Sequence, residues 1–388
     1  MRWLAPWVGR EIVTIIVVQV VFGFGWSLYL LMPKFLTTAL HAGPEAIGRT
    51  SAAAGLAAVL TVPFAATGLD RLGRTPFFRA GAGLVVLLSL GYLQVRELSW
   101  AVYVLQGCVA ASFVLAFNAS AALLADWTPP EHLGQAIGWL GGANVLMNAV
   151  STMIAEPLAT RYGWHVVFEL GAAAGLTALA LSFMMREAPP RARDLVATPD
   201  APGAHARTGL APILVTAVLV GAVFSAMFQF VQPYALGLGA HEVSGFFLGF
   251  TTSAVACRVL LGSLGDRHGH RRVSVFTLAG YALCALVTAR MQPGLLVLYG
   301  FAFGAAHGVL YPTMSALVLE GLSARRRGLG LVLFNGAFNL GAAGGGLAWG
   351  TMAQRLGYPA LYLTAAATAS LATAVLAFGG RVAPAPAR

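Results

Sequence analysis

Charge is what this chain has least of. Of its 388 residues 10% are Asp, Glu, Lys or Arg and 58% are apolar, against roughly 25% and 45–50% in ordinary soluble proteins. A water-soluble chain this poor in charge would leave its own surface uncovered, so an integral membrane protein is expected. Lysine is almost missing: Lys34 stands alone among 24 basic residues. The cysteines Cys108, Cys257 and Cys284 sit in apolar runs without metal-ligand spacing and read as packing residues, which leaves no basis for disulfides or a metal. The sequence has no phosphate-binding P-loop, no H-E-x-x-H pair and no nucleophile elbow. An enzyme, an ATP-driven pump and a cofactor protein are therefore not expected.

What is present is apolar length. Twelve long apolar stretches run from 12–33 to 356–380, and most approach the ~20 residues that cross ~30 Å of hydrocarbon as a helix. The shorter ones reach that length by taking in Arg79, Glu169 or Arg258. Strands are excluded because the runs lack a period of two and are too long for a barrel. The first run is a full span with no small-residue cleavage site after it, so it is not expected to be a removable signal. The fold class expected is all-α integral membrane, with twelve transmembrane helices in two six-helix bundles.

The basic residues give an orientation. With both termini cytoplasmic, Arg2, Arg10, Arg71, Arg74, Arg79, the arginines of 186–207, Arg267, Arg271, Arg272, Arg325 to Arg327, Arg381 and Arg388 face inward. Lys34, Arg49, Arg96, Arg161, Arg290 and Arg355 face outward, a ratio of about three to one inward. The net charge of +10 is spread over short loops and forms no single face, so nucleic acid is not an expected partner. Residues 1–185 are expected to form the N-terminal bundle, 186–210 a polar cytoplasmic linker, 211–380 the C-terminal bundle and 381–388 a short tail.

An internal repeat supports this division. Asp70-Arg71-Leu72-Gly73-Arg74 recurs as Asp266-Arg267-His268-Gly269-His270, 196 residues later, and Asp126 recurs as Glu320, 194 residues later. Two copies near the half-length offset, each between apolar spans, indicate a duplication. Gly300, Gly304 and Gly308, and again Gly341, Gly345, Gly346 and Gly350, form rows of small residues that let helices meet closely in lipid.

These features together resemble the major facilitator superfamily. The second copy matches the family's G-x-L-x-D-R-x-G-x-R-R signature at Gly262, Leu264, Asp266, Arg267, Gly269, Arg271 and Arg272, and the first copy matches in part. The resemblance implies a secondary carrier of two parallel halves whose loops, with Asp70, Arg71, Gly73, Arg74 and their second-copy counterparts, gate the cytoplasmic side. Helix four resembles the family's R-x-x-Q-G motif at Gln106 and Gly107, with Tyr103 in the Arg position. Helix five reads Met153-Ile154-Ala155-Glu156-Pro157 and lacks the Gly-Pro antiporter motif. Both departures argue against the drug:proton antiport linked to those motifs.

Candidate working residues follow from charge and polarity inside the spans. Arg258, about seven residues from the inner end of helix eight, is either an anion-binding or gating arginine or a structural partner of the loop acids. Family members that carry monocarboxylates have an arginine at a similar place. His307 and Tyr311 share a face of helix ten, and an imidazole there can carry a coupling proton or bind a polar substrate. Glu156 and Glu169, near the outer ends of helices five and six, are further proton candidates, or solvated charges at helix ends. Asp126 and Glu320 read as structural. Asn118, Asn144, Gln229, Gln232, Asn335 and Asn339 supply neutral polar groups. Trp26, Tyr29, Phe117 and Phe228 supply aromatic surface on the helices that, by the resemblance, line a central cavity.

The expected function is secondary transport of a small organic solute across the inner membrane by alternating access, exporter-like and with protons as the candidate coupling ion. The expected partners are that solute, protons and the lipid bilayer, and the carrier is expected to be a monomer. Uptake of an organic anion through Arg258 is the alternative, and a sensor or scaffold that moves nothing is the second.

Overall fold

The computed structural model describes residues 7–187, 210–320, 322 and 326–379. Most of the expected linker, the tail beyond 379, Arg325 and the side chain of Asp70 lie outside the described residues. Among the described residues there is no strand, and twelve helices are long and apolar enough to cross a membrane. They are α1 (Arg10–Thr38), α2 (Pro44–Leu72), α3 (Arg74–Leu93), α4 (Trp100–Trp127), α5 (Leu133–Tyr162) and α6 (Trp164–Ser182). The remainder are α7 (Leu210–Gly237), α8 (Ser244–Leu261), α9 (His270–Thr288), α10 (Leu296–Glu320), α11 (Arg327–Leu356) and α12 (Tyr358–Phe378). Helix is the form a lone span must take, because hydrocarbon offers no partner to an unbonded backbone amide. Large apolar side chains on the outside agree: Phe276 is 81% exposed and Val259 78%, which lipid tolerates and water penalises.

The chain falls into two compact units, Met1–Leu40 with Ala57–Val196, and His41–Leu56 with Ala197–Arg388. In the first, α3 packs against α4 and α6, and α1 against α5 and α6. Its core holds Phe22, Phe78 and Tyr92. In the second, α8 lies along α10, α7 along α11, and α9 against α10 and α12. Glycines let both the α8–α10 and the α7–α11 pairs approach to backbone contact, as Gly341 of α11 does against Val218 of α7. A Cβ on Gly300, Gly304 or Gly308 would run into the backbone of Phe246, Phe250 or Ala254 of α8. The first part of α2 belongs to this unit, with Gly48 against Gly346 and Gly350 of α11.

The repeat is visible in the joints. Gly73 and Gly269 open α3 and α9, and Gly163 and Gly357 open α6 and α12, all with φ between 84° and 95°. A side chain would strain that left-handed conformation, so the duplicated glycines are required by the one-residue turn between helices.

One boundary differs from the sequence reading. The first apolar run stops at residue 33, but α1 continues to Thr38. The helix tightens into a 3₁₀ turn at Leu28–Leu31 and resumes as Met32–Thr38, with Pro33 in its first turn. Proline is accepted there because the N–H it lacks has no intrahelical partner at that position. The helix therefore continues, and Lys34 is carried into the bundle.

Candidate functional site

In the second unit the polar candidates converge on α10. His307 is 8% exposed and its Nδ1 is hydrogen-bonded to the hydroxyl of the fully buried Tyr281 on α9. One turn on, the Tyr311 hydroxyl donates to Asn335 Oδ1 of α11, and Asn339 Nδ2 donates to the backbone carbonyl of Asn335. Arg258 of α8 is near enough to both His307 and Tyr311 to interact with them electrostatically. Its Nε is buried with no hydrogen-bond partner among the described residues, and no carboxylate pairs with it there. A guanidinium has five N–H donors and matches a carboxylate fork. Aromatic rings wall this group: Phe224 lies 4.9 Å from the His307 ring and Phe338 5.8 Å from Tyr311. A donor set of Arg, His, Tyr and Asn beside aromatic faces suits an organic solute that carries an acid group.

Arg258 stands in the last turn of α8, closer to the helix end at Leu261 than the sequence suggested. After it the chain bends at Gly262 and Ser263 into a short helix, Leu264–His268.

Three other candidates of this unit lie on α7. Phe228 is a packing residue, stacked on Phe224 at 4.2 Å and edge-on to Phe250. It sits in a π-helical turn, Ala226–Phe230, within α7. Gln232 is fully buried and donates to the Phe228 carbonyl, while Gln229 is half-buried.

The first unit is arranged differently. Lys34 Nζ lies 2.5 Å from Glu156 Oε1, with side-chain exposures of 7% and 0%. Glu156 is therefore not the solvated end charge that one sequence reading allowed, because α1 continues far enough to deliver a cation to it. Glu169 is exposed on the surface of α6. Asn144 accepts from Gln19 Nε2 at 3.3 Å, and Ser120 donates to Gln19 Oε1 at 2.8 Å, which ties α1, α4 and α5 together. Tyr29 is buried and bonded to Ser89 at 2.7 Å. Trp26 gives its indole N–H to the Val109 carbonyl and packs on Phe113, which stacks on Phe117; Asn118 beside it is half-buried.

The repeated loops build matching contacts. Arg74 Nε pairs with Asp126 at 3.0 Å and its Nη1 donates to the Leu69 carbonyl. Glu187 accepts from the backbone N–H groups of Arg74 and Thr75, a carboxylate at the positive end of α3. In the second copy His270 replaces Arg74 and Glu320 replaces Asp126. His270 Nδ1 lies 2.5 Å from Glu320, and Nε2 lies 3.3 Å from Asp266. Arg271 donates to the carbonyls of Leu376 and Gly379, closing the end of α12. Arg71, Arg267 and Gly262 are exposed.

Three partners were missed from sequence. Lys34 had a signal, being the only lysine and lying in a run that could continue as helix. His270 had one in its alignment with Arg74. Tyr281 had none, since its bond to His307 joins two helices.

The family model described as Major Facilitator Superfamily matches residues 15–257 and 234–388. The chain is 29% identical over 337 residues to the multi-drug resistance efflux pump PmrA of Streptococcus pneumoniae, covering 81% of each. It is 23% identical over 265 residues to the cis,cis-muconate transport protein of Acinetobacter baylyi, covering 59% of each. Its fold matches the crystal structure of the nucleoside transporter NupG with a TM-score of 0.75 at 14% identity, over 95% of this chain and 98% of that one. Twelve apolar helices, two copies of the D-R-x-G loop and a family match along nearly the whole length lead to one conclusion: this chain belongs to the Major Facilitator Superfamily.

Proposed function

We propose that this transporter exports a small organic solute bearing an acidic group, by alternating access, in an inner membrane with both termini cytoplasmic. Arg258 is the anion-binding residue. His307, Tyr311 and Asn335 hydrogen-bond the polar part of the solute, and Phe224 and Phe338 pack its body. The observation that carries this reading is the Arg258 guanidinium, whose buried Nε has no acceptor and which has no carboxylate neighbour among the described residues. A charge inside a span costs at least ~2.5–3.5 kcal/mol on insertion scales, and an anionic solute would offset that cost. The export direction is favoured by the likeness to the efflux pump PmrA, and an organic acid by the likeness to the muconate transporter. In the cycle residues 1–185 rock against 211–380, and the D-R-x-G loops latch the inner side through Asp266 and its first-copy counterpart. Protons are the proposed driving ion.

Thermal-shift binding on the purified protein tests this. Benzoate and cis,cis-muconate should raise the melting temperature, and uncharged benzamide should not. Arg258→Ala should weaken carboxylate binding at least about tenfold. Benzamide binding that falls with Arg258→Ala as far as benzoate binding would remove the anion role. A second reading, export of uncharged amphipathic compounds, draws on the aromatic surface of Trp26, Phe113 and Phe117, and benzamide stabilisation insensitive to Arg258 would favour it.

A further inference from the structure

The Lys34–Glu156 pair has no part in the substrate group just described, and three observations suggest that it does more than hold α1 to α5. First, it is enclosed, at 7% and 0% side-chain exposure. Taking two charges out of water is costly, and apolar residues of similar volume usually serve a bundle as well or better. Second, the duplicate half is built without it. Aligning Pro33 with Pro233 puts Tyr234 opposite Lys34, and aligning the turn glycines Gly163 and Gly357 puts Gly350 opposite Glu156. Tyr234 there donates to the Ala289 carbonyl, and Gly350 meets the first turn of α2. The same architecture stands with no charge at either position. Third, both backbones depart from regular helix beside the pair. α1 has its 3₁₀ turn at Leu28–Leu31, and Pro157, next to Glu156, has no N–H to return to the Met153 carbonyl.

We propose that Glu156 is the proton-binding site of the carrier and Lys34 its counter-ion. One proton from the outer side adds to the Glu156 carboxylate. The ion pair becomes a neutral carboxylic acid and an ammonium that has lost its carboxylate. No bond other than the new O–H forms, and the site gains one positive charge. An ammonium enclosed without that carboxylate is disfavoured, so protonation works against the arrangement of α1 and α5 seen here and favours one in which water reaches Lys34. Among the neighbouring titratable groups, Tyr29 is engaged with Ser89, the Arg161 guanidinium lies over the Tyr162 ring, and His165 and Glu169 are exposed. Tyr103 of α4 is half-buried. His307 suits this role less, because a second cation beside Arg258 would be repelled.

The coupling rests on the transport cycle proposed above, but the proton site is testable without a solute. Infrared titration of the purified full chain should show a protonated-carboxyl band growing as the pH is lowered, and the difference between wild type and Glu156→Gln should contain one carboxyl's share of that band. A band unchanged by Glu156→Gln would overturn the assignment. In proteoliposomes the double variant Lys34→Met/Glu156→Gln, which leaves no unpaired charge, should lose at least about tenfold of the cis,cis-muconate flux driven by a pH gradient while retaining muconate exchange. Full retention of the gradient-driven flux would reduce the pair to a structural one. If Arg258→Ala leaves carboxylate binding intact while the Glu156 band persists, the anion reading fails and the proton site stands.

Discussion

The two units of this transporter are copies that have diverged in how they hold charge. In the first, Lys34 is matched by Glu156 and Arg74 by Asp126 and the Leu69 carbonyl, while the half-buried Arg79 donates to the Ser182 carbonyl and lies over the Phe183 ring. In the second, Arg258 has no carboxylate among the described residues, and the loop position of Arg74 is taken by His270 between Glu320 and Asp266. The shared features are the ones the bundle needs, namely apolar length, glycine joints and close-packed small residues. The unshared ones are charges that the bundle does not need, and these are the places to look for function. A duplication thus supplies its own control, because each half shows what the other could have done without.

The comparison breaks most sharply at Glu156. Glu156→Ala leaves Lys34 enclosed without its carboxylate and should destabilise the purified protein by about 3–5 kcal/mol, while the neutral double variant Lys34→Met/Glu156→Gln stays near wild type. Chemical or thermal unfolding in detergent measures both. If the single and double variants are equally unstable, the pair is valued for packing and not for charge.

Glycine substitutions sharpen the packing side. Gly304→Ala places a methyl against the Phe250 backbone and should cost about 1–3 kcal/mol. Gly83→Ala in α3 has no heavy atom within 4 Å of the new Cβ and should be neutral or slightly stabilising. A small effect is expected at the loops as well. His270→Arg gives the second copy the fixed cation of the first; because Glu320 and Asp266 are 51% and 74% exposed, it should change stability by no more than about 0.2–1 kcal/mol. A larger change would mean that the exposed loop contacts bear more of the fold than their exposure allows.

Much of this molecule was readable in advance. The spans could be read because a membrane helix announces itself by length and apolarity, and the D-R-x-G copies because short motifs survive duplication. Arg258, His307, Tyr311 and Asn335 were named from polarity inside apolar runs. Their gathering in one unit could not be read, since α8, α10 and α11 meet only after folding. Pro33 misled the boundary of α1: proline ends a regular helix but is accepted where a 3₁₀ turn restarts one. That error hid the partner of Glu156.

The sequence by itself determined the class of the protein, its twelve helices and its twofold repeat, because each depends on composition and spacing along one chain. Only the tertiary structure decided which charges are matched and which are not. Whether Lys34 finds Glu156, and whether Arg258 finds an acid among the described residues, is set by contacts between helices far apart in the chain, and a buried charge is settled or left poised by what faces it across such a contact.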